Sequence, residues 1–191
     1  YIADRHPGLV RRIEDAGHEV GVHGYWHERV DDLGPEGFTG DLRRGLAAVA
    51  SRTRAVPLGF RAPEWSITTR TPWAYAELAV QGFHFDSSLL PLRFGVGNGL
   101  GCLPHAVETP AGTLREFPVS VMSGPGWHWP FTDGTALRLL TAEFIARGIR
   151  RLNRRGVPAN VALHPWEVDP DGPRGPFPLA RGALHGARLS S

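Results

Sequence analysis

Apolar and polar positions alternate along the chain in blocks that predict helices and short strands by turns. Residues 9–16 read as a helix, with Pro7 at a tolerated first-turn position and Gly17 as the stop. Residues 19–23 form a strand-like run. A second helix is expected over about 35–54, with Leu42, Leu46 and Val49 on one stripe. Residues 57–61 and 83–86 read as short apolar strands, and a third helix lies between them at 71–80, stopped at Gly82. Residues 114–119 and 160–164 are further strands, and 135–155 is one long helix. Residues 90–113 and 123–134 are Gly- and Pro-rich and read as long loops of the kind that carry function. From Asp169 onward the Pro-, Gly- and Arg-rich tail reads as poorly ordered.

Alternating strands and helices predict an α/β layout with a mainly parallel sheet or barrel. In such folds chemistry gathers where strand C-termini meet their loops. His23, Arg61, Asp86 and His164 all fall at expected strand C-termini.

Composition narrows the classes. The 191 residues fit one domain with a real core, and 41% hydrophobic content is ordinary for a globular chain. No run reaches the roughly 18 apolar residues that span a bilayer. The chain opens at Tyr1 in a polar, helix-like stretch with no secretory signal. One cysteine, Cys102, excludes an internal disulfide framework and reads as an inert thiol. All 21 basic residues are Arg, yet the formal charge is only +2, which does not point to nucleic acid. The densest basic run, Arg147 to Arg155, is interrupted by Ile149 and Leu152 at helical spacing, as on the solvated face of an amphipathic helix.

The candidate chemistry centres on His23-Gly24-Tyr25-Trp26-His27. Two imidazoles four positions apart share one face of a helical turn, and neutral imidazole is the commonest metal ligand at neutral pH. A hydrolytic metal site also needs an open position for water. Arg61, before Ala62-Pro63-Glu64, would hold a carboxylate ionised or form a surface ion pair. Asp86 would orient a histidine or cap the next turn. His164, ending an apolar run, suits proton transfer near neutral pH, with Trp166, Glu167 and Asp169 close by in sequence. Trp127, Trp129 and Phe131 would either stack on sugar rings or fold onto the core.

These segments, in this order, resemble the polysaccharide deacetylases, the NodB-homology or carbohydrate esterase family 4 proteins, and more narrowly their exopolysaccharide-cluster branch. The resemblance is carried by Arg5-His6-Pro7-Gly8, Gly17-His18-Glu19-Val20, the His23–His27 segment, Gly59-Phe60-Arg61-Ala62-Pro63, Phe85-Asp86-Ser87-Ser88, Arg151-Leu152-Asn153-Arg154 and Leu163-His164-Pro165-Trp166-Glu167. It runs from residue 5 to about residue 174. The expected layout is a deacetylase-like domain over 1–174, then an irregular tail over 175–191.

The resemblance implies a distorted (β/α) barrel, incomplete at its N-terminus, and a divalent metal, most often zinc. His23 and His27 match the metal-binding histidines, His164 the general acid, and Arg61 the arginine that holds the catalytic carboxylate. The backbone N–H of Glu64 matches an oxyanion donor, and Asp86 falls at a catalytic position. Trp127, Trp129 and Trp166 are the expected substrate-binding aromatics. The family's acidic pair, its base and third metal ligand, would lie before Tyr1; Asp4, Asp31 and Asp32 are poor substitutes. The implied partner is an N-acetylated polysaccharide or oligosaccharide, with no nucleic acid and no transmembrane segment. Bacterial cytoplasm and cell envelope both stay open as compartments. Two other readings stay open as well: a carbohydrate-binding remnant without turnover, and a metal-dependent hydrolase of small amides.

Overall fold

The computed structural model describes residues 1–92, 101–124 and 127–169. They form two compact units, one of Tyr1–Leu90 and Val96–Pro118, the other of Pro91–Gly95 and Val119–Ser191.

The first unit opens with two short helices, α1 (Ile2–Arg5) and α2 (Pro7–Asp15), the second started by Pro7 as expected. Helix α3 (Val30–Ala50) begins earlier than the hydrophobic stripe suggests. Gly34, at φ 65°, breaks it, and Pro35 restarts it, so its first turn is a separate short piece. Leu42 is fully buried, with Leu46 and Val49 packed beside the core. Strand β1 (Gly59–Phe60), helix α4 (Trp73–Val80) and strand β2 (Phe85–Asp86) follow in the expected order.

The segment expected as a loop over 90–113 contains a strand, β3 (His105–Thr109), hairpinned onto β4 (Gly112–Glu116). Thr109 Oγ1 donates to Gly112 O at 2.7 Å, and Gly112 turns the chain at φ 136°. Its Gly and Pro neighbours mask the period-2 pattern of His105 to Thr109. Residues 93–100 of that segment lie outside the described residues.

The sheet order is β1-β2-β4-β3, with the first two pairings parallel and the last antiparallel. The run over 19–23 supplies not a full strand but a single parallel bridge, Val22 to Phe60. Val22, Phe38, Phe60, Phe83 and Leu114 anchor the core; the Phe38–Phe60 and Phe60–Phe83 rings meet edge to face at 5.7 and 5.8 Å.

The second unit holds the antiparallel pair β5 (Val121–Gly124) and β6 (Trp127–Pro130) where a loop was expected over 123–134. The expected long helix is two, α5 (Gly134–Leu139) and α6 (Ala142–Asn153). The break has a local cause. Leu140 is extended, and Thr141 caps α6 by accepting from Phe144 N, as Asp133 caps α5 by accepting from Ala136 N. Arg147, Arg150, Arg151, Arg154 and Arg155 are all exposed, as the amphipathic reading requires. Residues 160–164 form no strand. They run extended, with Asn160 O accepting from Ser120 N and Ala162 N donating to Thr132 O. The tail beyond residue 169 lies outside the described residues.

Replacing Thr141 with Ala should destabilise the second unit by about 1 kcal/mol, the usual worth of an N-cap. Urea denaturation checks this, and an unchanged midpoint would show that the helix break does not depend on the cap.

Candidate active site

His23 is placed by the backbone on either side of the Val22 bridge. Val22 N donates to Gly59 O at 2.9 Å and Arg61 N to Val22 O at 3.0 Å, which sets His23 beside Arg61. The His23 ring then bonds through Nδ1 to Arg61 O at 2.7 Å. A carbonyl only accepts, so Nδ1 carries the proton and the neutral ring has its lone pair on Nε2.

His27 does not share a helical turn with His23, contrary to the spacing argument. The intervening chain is an irregular loop, with Gly24 at φ 69° and His27 itself at φ 61°. The two rings nevertheless meet, edge to face, with centroids 4.9 Å apart. A left-handed conformation costs a non-glycine residue roughly 1–2 kcal/mol, so the loop needs anchors. The main one is Asp41 of α3, buried, which accepts from Tyr25 N at 2.8 Å and Trp26 N at 3.0 Å. A Cβ on Gly24 would stand 3.0 Å from the same carboxylate, and one on Gly45 only 3.1 Å from Val22. These two glycines let helix and loop approach. Tyr25 adds a second anchor, donating to Asp4 at 2.9 Å under the Arg44 guanidinium, which lies 4.1 Å from its ring centroid.

Arg61 points away from its own carbonyl. Its Nε donates to Ser87 O at 2.9 Å and Nη2 to Ser87 Oγ at 2.7 Å, and the guanidinium lies 5.2 Å from the Trp65 ring centroid. Burial pushes its pKa down, and the charges of Asp86 and Glu116 oppose that. After Pro63, Glu64 (φ 53°) and Trp65 (φ 56°) are both left-handed, closed into a 3₁₀ turn by Ser66 Oγ, which donates to Pro63 O at 2.6 Å. The Glu64 carboxylate pairs with Arg29 at 3.3 Å. Among the described residues nothing accepts from the Glu64 backbone N–H. Asp86 is fully buried in β2.

Asp4, Asp31 and Asp32 are all engaged elsewhere: Asp4 with Tyr25 and Arg52, Asp31 with Arg29 and Arg70, Asp32 with Arg29. The bond and charge of Arg29 hold the Asp31 carboxyl below the usual range. Among the described residues no three or more His, Cys, Asp or Glu side chains gather as a metal-binding group. Burial pushes the Cys102 thiol up, away from nucleophilic use.

In the second unit His164 opens a short 3₁₀ turn, Pro165–Glu167, and its ring stacks on Trp166 with centroids 4.2 Å apart. Glu167 folds back: Oε2 accepts from His164 N at 2.8 Å and lies 3.4 Å from its Nδ1, while Arg138 stands 3.9 Å from Oε1. Gly134 leaves the space for that carboxylate, since a Cβ there would overlap it. On β6, Trp127 and Trp129 are two apart, share a face and are 41% and 59% exposed. Phe131 is buried against Gly148. The aromatic segment thus divides, with its tryptophans outward and its phenylalanine inward.

Sequence reasoning missed Asp41, Glu116 and the pairing of Glu167 with Arg138. A signal existed for the first two. Asp41 interrupts the apolar face of Phe38, Leu42 and Gly45, and Glu116 stands two after Leu114 on the inward face of β4.

Comparison with known proteins bears on the same segments. The family model "Polysaccharide deacetylase" matches residues 2–83, and "Domain of unknown function (DUF3473)" matches residues 87–191. A crystal structure from Mycobacterium smegmatis, assigned to the polysaccharide deacetylases, is 29% identical, covers 86% of this chain and 56% of its own, and superposes with a TM-score of 0.62. The chain belongs to the DUF3473 family, and its residues 2–83 match the polysaccharide deacetylases. The peptidoglycan deacetylase of Helicobacter pylori is 30% identical over 105 residues, 52% of this chain and 34% of that protein. An allantoinase structure, 18% identical with a TM-score of 0.60 over 85% of this chain and 51% of its own, shares the fold. The chain thus spans about a third of the curated Helicobacter relative and about half of these structures, and its fold is of the NodB (β/α)-barrel type. Among the described residues no helix is long and apolar enough to cross a membrane.

Replacing Asp41 with Ala leaves the buried Tyr25 N–H unsatisfied, at about 1–3 kcal/mol, and the part-buried Trp26 N–H without its partner. The expected result is a clearly lowered midpoint in urea, and a loss under about 0.5 kcal/mol would mean the loop is held otherwise.

Proposed function

We propose that this protein removes N-acetyl groups from hexosamine units of a polysaccharide, an exopolysaccharide in keeping with the branch it resembles, with a divalent ion held by His23 and His27. The observation that carries the reading is the His23–Arg61 bond. A histidine whose far nitrogen donates to a backbone carbonyl is oriented as metal-ligating histidines are. With the His27 ring 4.9 Å away, the donor set suits zinc as two of its ligands. The resemblance also implies a third ligand and a base, an acidic pair that the described residues do not match. Such an ion, when bound, polarises the acetyl carbonyl and activates water.

The remaining roles follow the resemblance residue by residue. Arg61, fixed on Ser87, holds the catalytic carboxylate ionised. The Glu64 N–H, presented by two left-handed residues, donates to the oxyanion. His164 gives its proton to the departing amine as the C–N bond breaks; a water oxygen joins the acetyl carbon, and acetate and a free amine result. Trp127 and Trp129 offer faces to sugar rings, as does Trp166. Asp86, sealed from solvent, acts through its neighbours rather than on substrate.

A second reading is sugar binding without turnover. The outward tryptophans of β6 favour it, together with the want of a three-ligand group among the described residues.

Zinc content and acetate release, measured on acetylated exopolysaccharide, peptidoglycan strands and small amides, decide between these. We expect His23→Ala to lose zinc and acetate release together; acetate release that survives this change defeats the metal reading, and retained sugar affinity with no release in the parent chain establishes the binding one. Removing the His164 ring (His164→Ala) should lower kcat by about 10²–10⁴-fold, as loss of a general acid does, with zinc content unchanged.

A further inference from the structure

Beneath Arg61, two acids occupy one buried place. Asp86 of β2 and Glu116 of β4 are direct partners across the parallel pairing; both are fully buried, and their carboxyl groups hydrogen-bond each other. We infer that Glu116 is a positioning residue for Arg61: it shares one proton with Asp86, and the single negative charge left on the pair is the buried counter-charge of that guanidinium. This rests on the reading of Arg61 as part of the hydrolytic site.

Two carboxylates in contact away from water cannot both be charged, so one proton stays. The donors around them decide where the charge rests. Asp86 accepts from Ser88 Oγ at 2.6 Å, from Ser88 N at 3.2 Å and from the Ser87 backbone. Glu116 accepts from Leu89 N at 3.1 Å and, more distantly, from Tyr75 Oη at 3.4 Å. The richer set of donors places the charge on Asp86 and the proton on Glu116. Burial, then the Asp86 charge, pushes Glu116 up to about 10. The other titratable and charged groups in this setting are the Tyr75 hydroxyl, which burial pushes up, the Arg61 guanidinium, and His105, paired with Glu116 from β3.

Two consecutive serines connect the acids to Arg61. Ser88 Oγ, bonded to Asp86, accepts from Ala62 N at 2.8 Å, fixing the residue after Arg61. Ser87 accepts from the guanidinium at both its carbonyl and its hydroxyl, and that hydroxyl donates to Phe117 O at 2.8 Å, one residue beyond Glu116. A displaced Asp86–Glu116 pair therefore displaces both ends of Arg61.

The test compares Glu116→Gln and Asp86→Asn in the full chain. Gln keeps a donor toward Asp86 and an acceptor for Leu89 N, so Glu116→Gln should keep kcat for acetate release within about two-fold and leave KM unchanged. Asp86→Asn removes the charge and adds donors where donors already converge; kcat should fall about ten-fold or more, with KM held. Thermal stability against pH gives a readout independent of activity. Because the folded value of Glu116 lies above its ordinary one, the folded state holds an extra proton between them; that stability is complete below the ordinary carboxylate range and is lost as pH rises towards about 10. The parent should therefore lose stability with rising pH relative to Glu116→Gln. A third readout is the Arg61 Nε–H resonance, which should stay slowly exchanging in Glu116→Gln and exchange rapidly in Asp86→Asn. Parallel pH profiles for parent and Glu116→Gln, or an Arg61 resonance indifferent to Asp86→Asn, overturn the proposal whether or not acetate is released. If Asp86→Asn fails to fold, Glu116→Gln alone decides, and loss of the protected Arg61 resonance in it is likewise an overturning result. No acetate release from the parent defeats the hydrolytic reading and leaves the pH and resonance comparisons to judge the acid pair.

Discussion

The backbone carbonyl of Arg61 is the point on which the first unit's chemistry turns. The peptide ladder between Val22 and the Gly59–Arg61 segment brings it beside His23, and its bond to Nδ1 fixes that ring's tautomer and direction. The constraint is one of register. A slip of one residue in a parallel ladder would turn each side chain to the opposite face, parting His23 from Arg61. What looks like a short, imperfect strand is thus the element on which donor placement depends.

Around that carbonyl the protein uses backbone conformations that its side chains do not favour. His27, Glu64 and Trp65 are left-handed without being glycine. Each is held from outside: the His27 loop by Asp41, the Glu64 turn by Ser66 and Arg29. Strained backbone gathers at functional sites because the surroundings over-determine it. The core supplies the rigidity, through the ring contacts of Phe38, Phe60 and Phe83.

Much of this was legible in the sequence, and the losses have causes. Strand ends were readable because apolar runs stop at polar residues, so His23, Arg61 and Asp86 fell where expected. The rings of His23 and His27 do meet, but through a loop and not a helical turn: spacing alone does not separate a helical turn from a loop bent by Gly24. Hairpins were hidden where Gly and Pro suggest loops, and the helix break was hidden because Thr141 caps from within an amphipathic pattern. The buried acids Asp41 and Glu116 went unread because their partners are backbone N–H groups and another acid, which no local pattern announces. The pairing of Glu167 with Arg138 spans too much chain for periodicity to register.

The fit of Glu167 over Gly134 ties two distant positions of the second unit together. The first residue of α5 has no room for a Cβ because a carboxylate from far along the chain occupies that space. A glycine that would otherwise be a poor choice in a helix is therefore chosen by the acid after His164. Shortening the acid would open that space to an alanine at residue 134, so the two positions are best changed together.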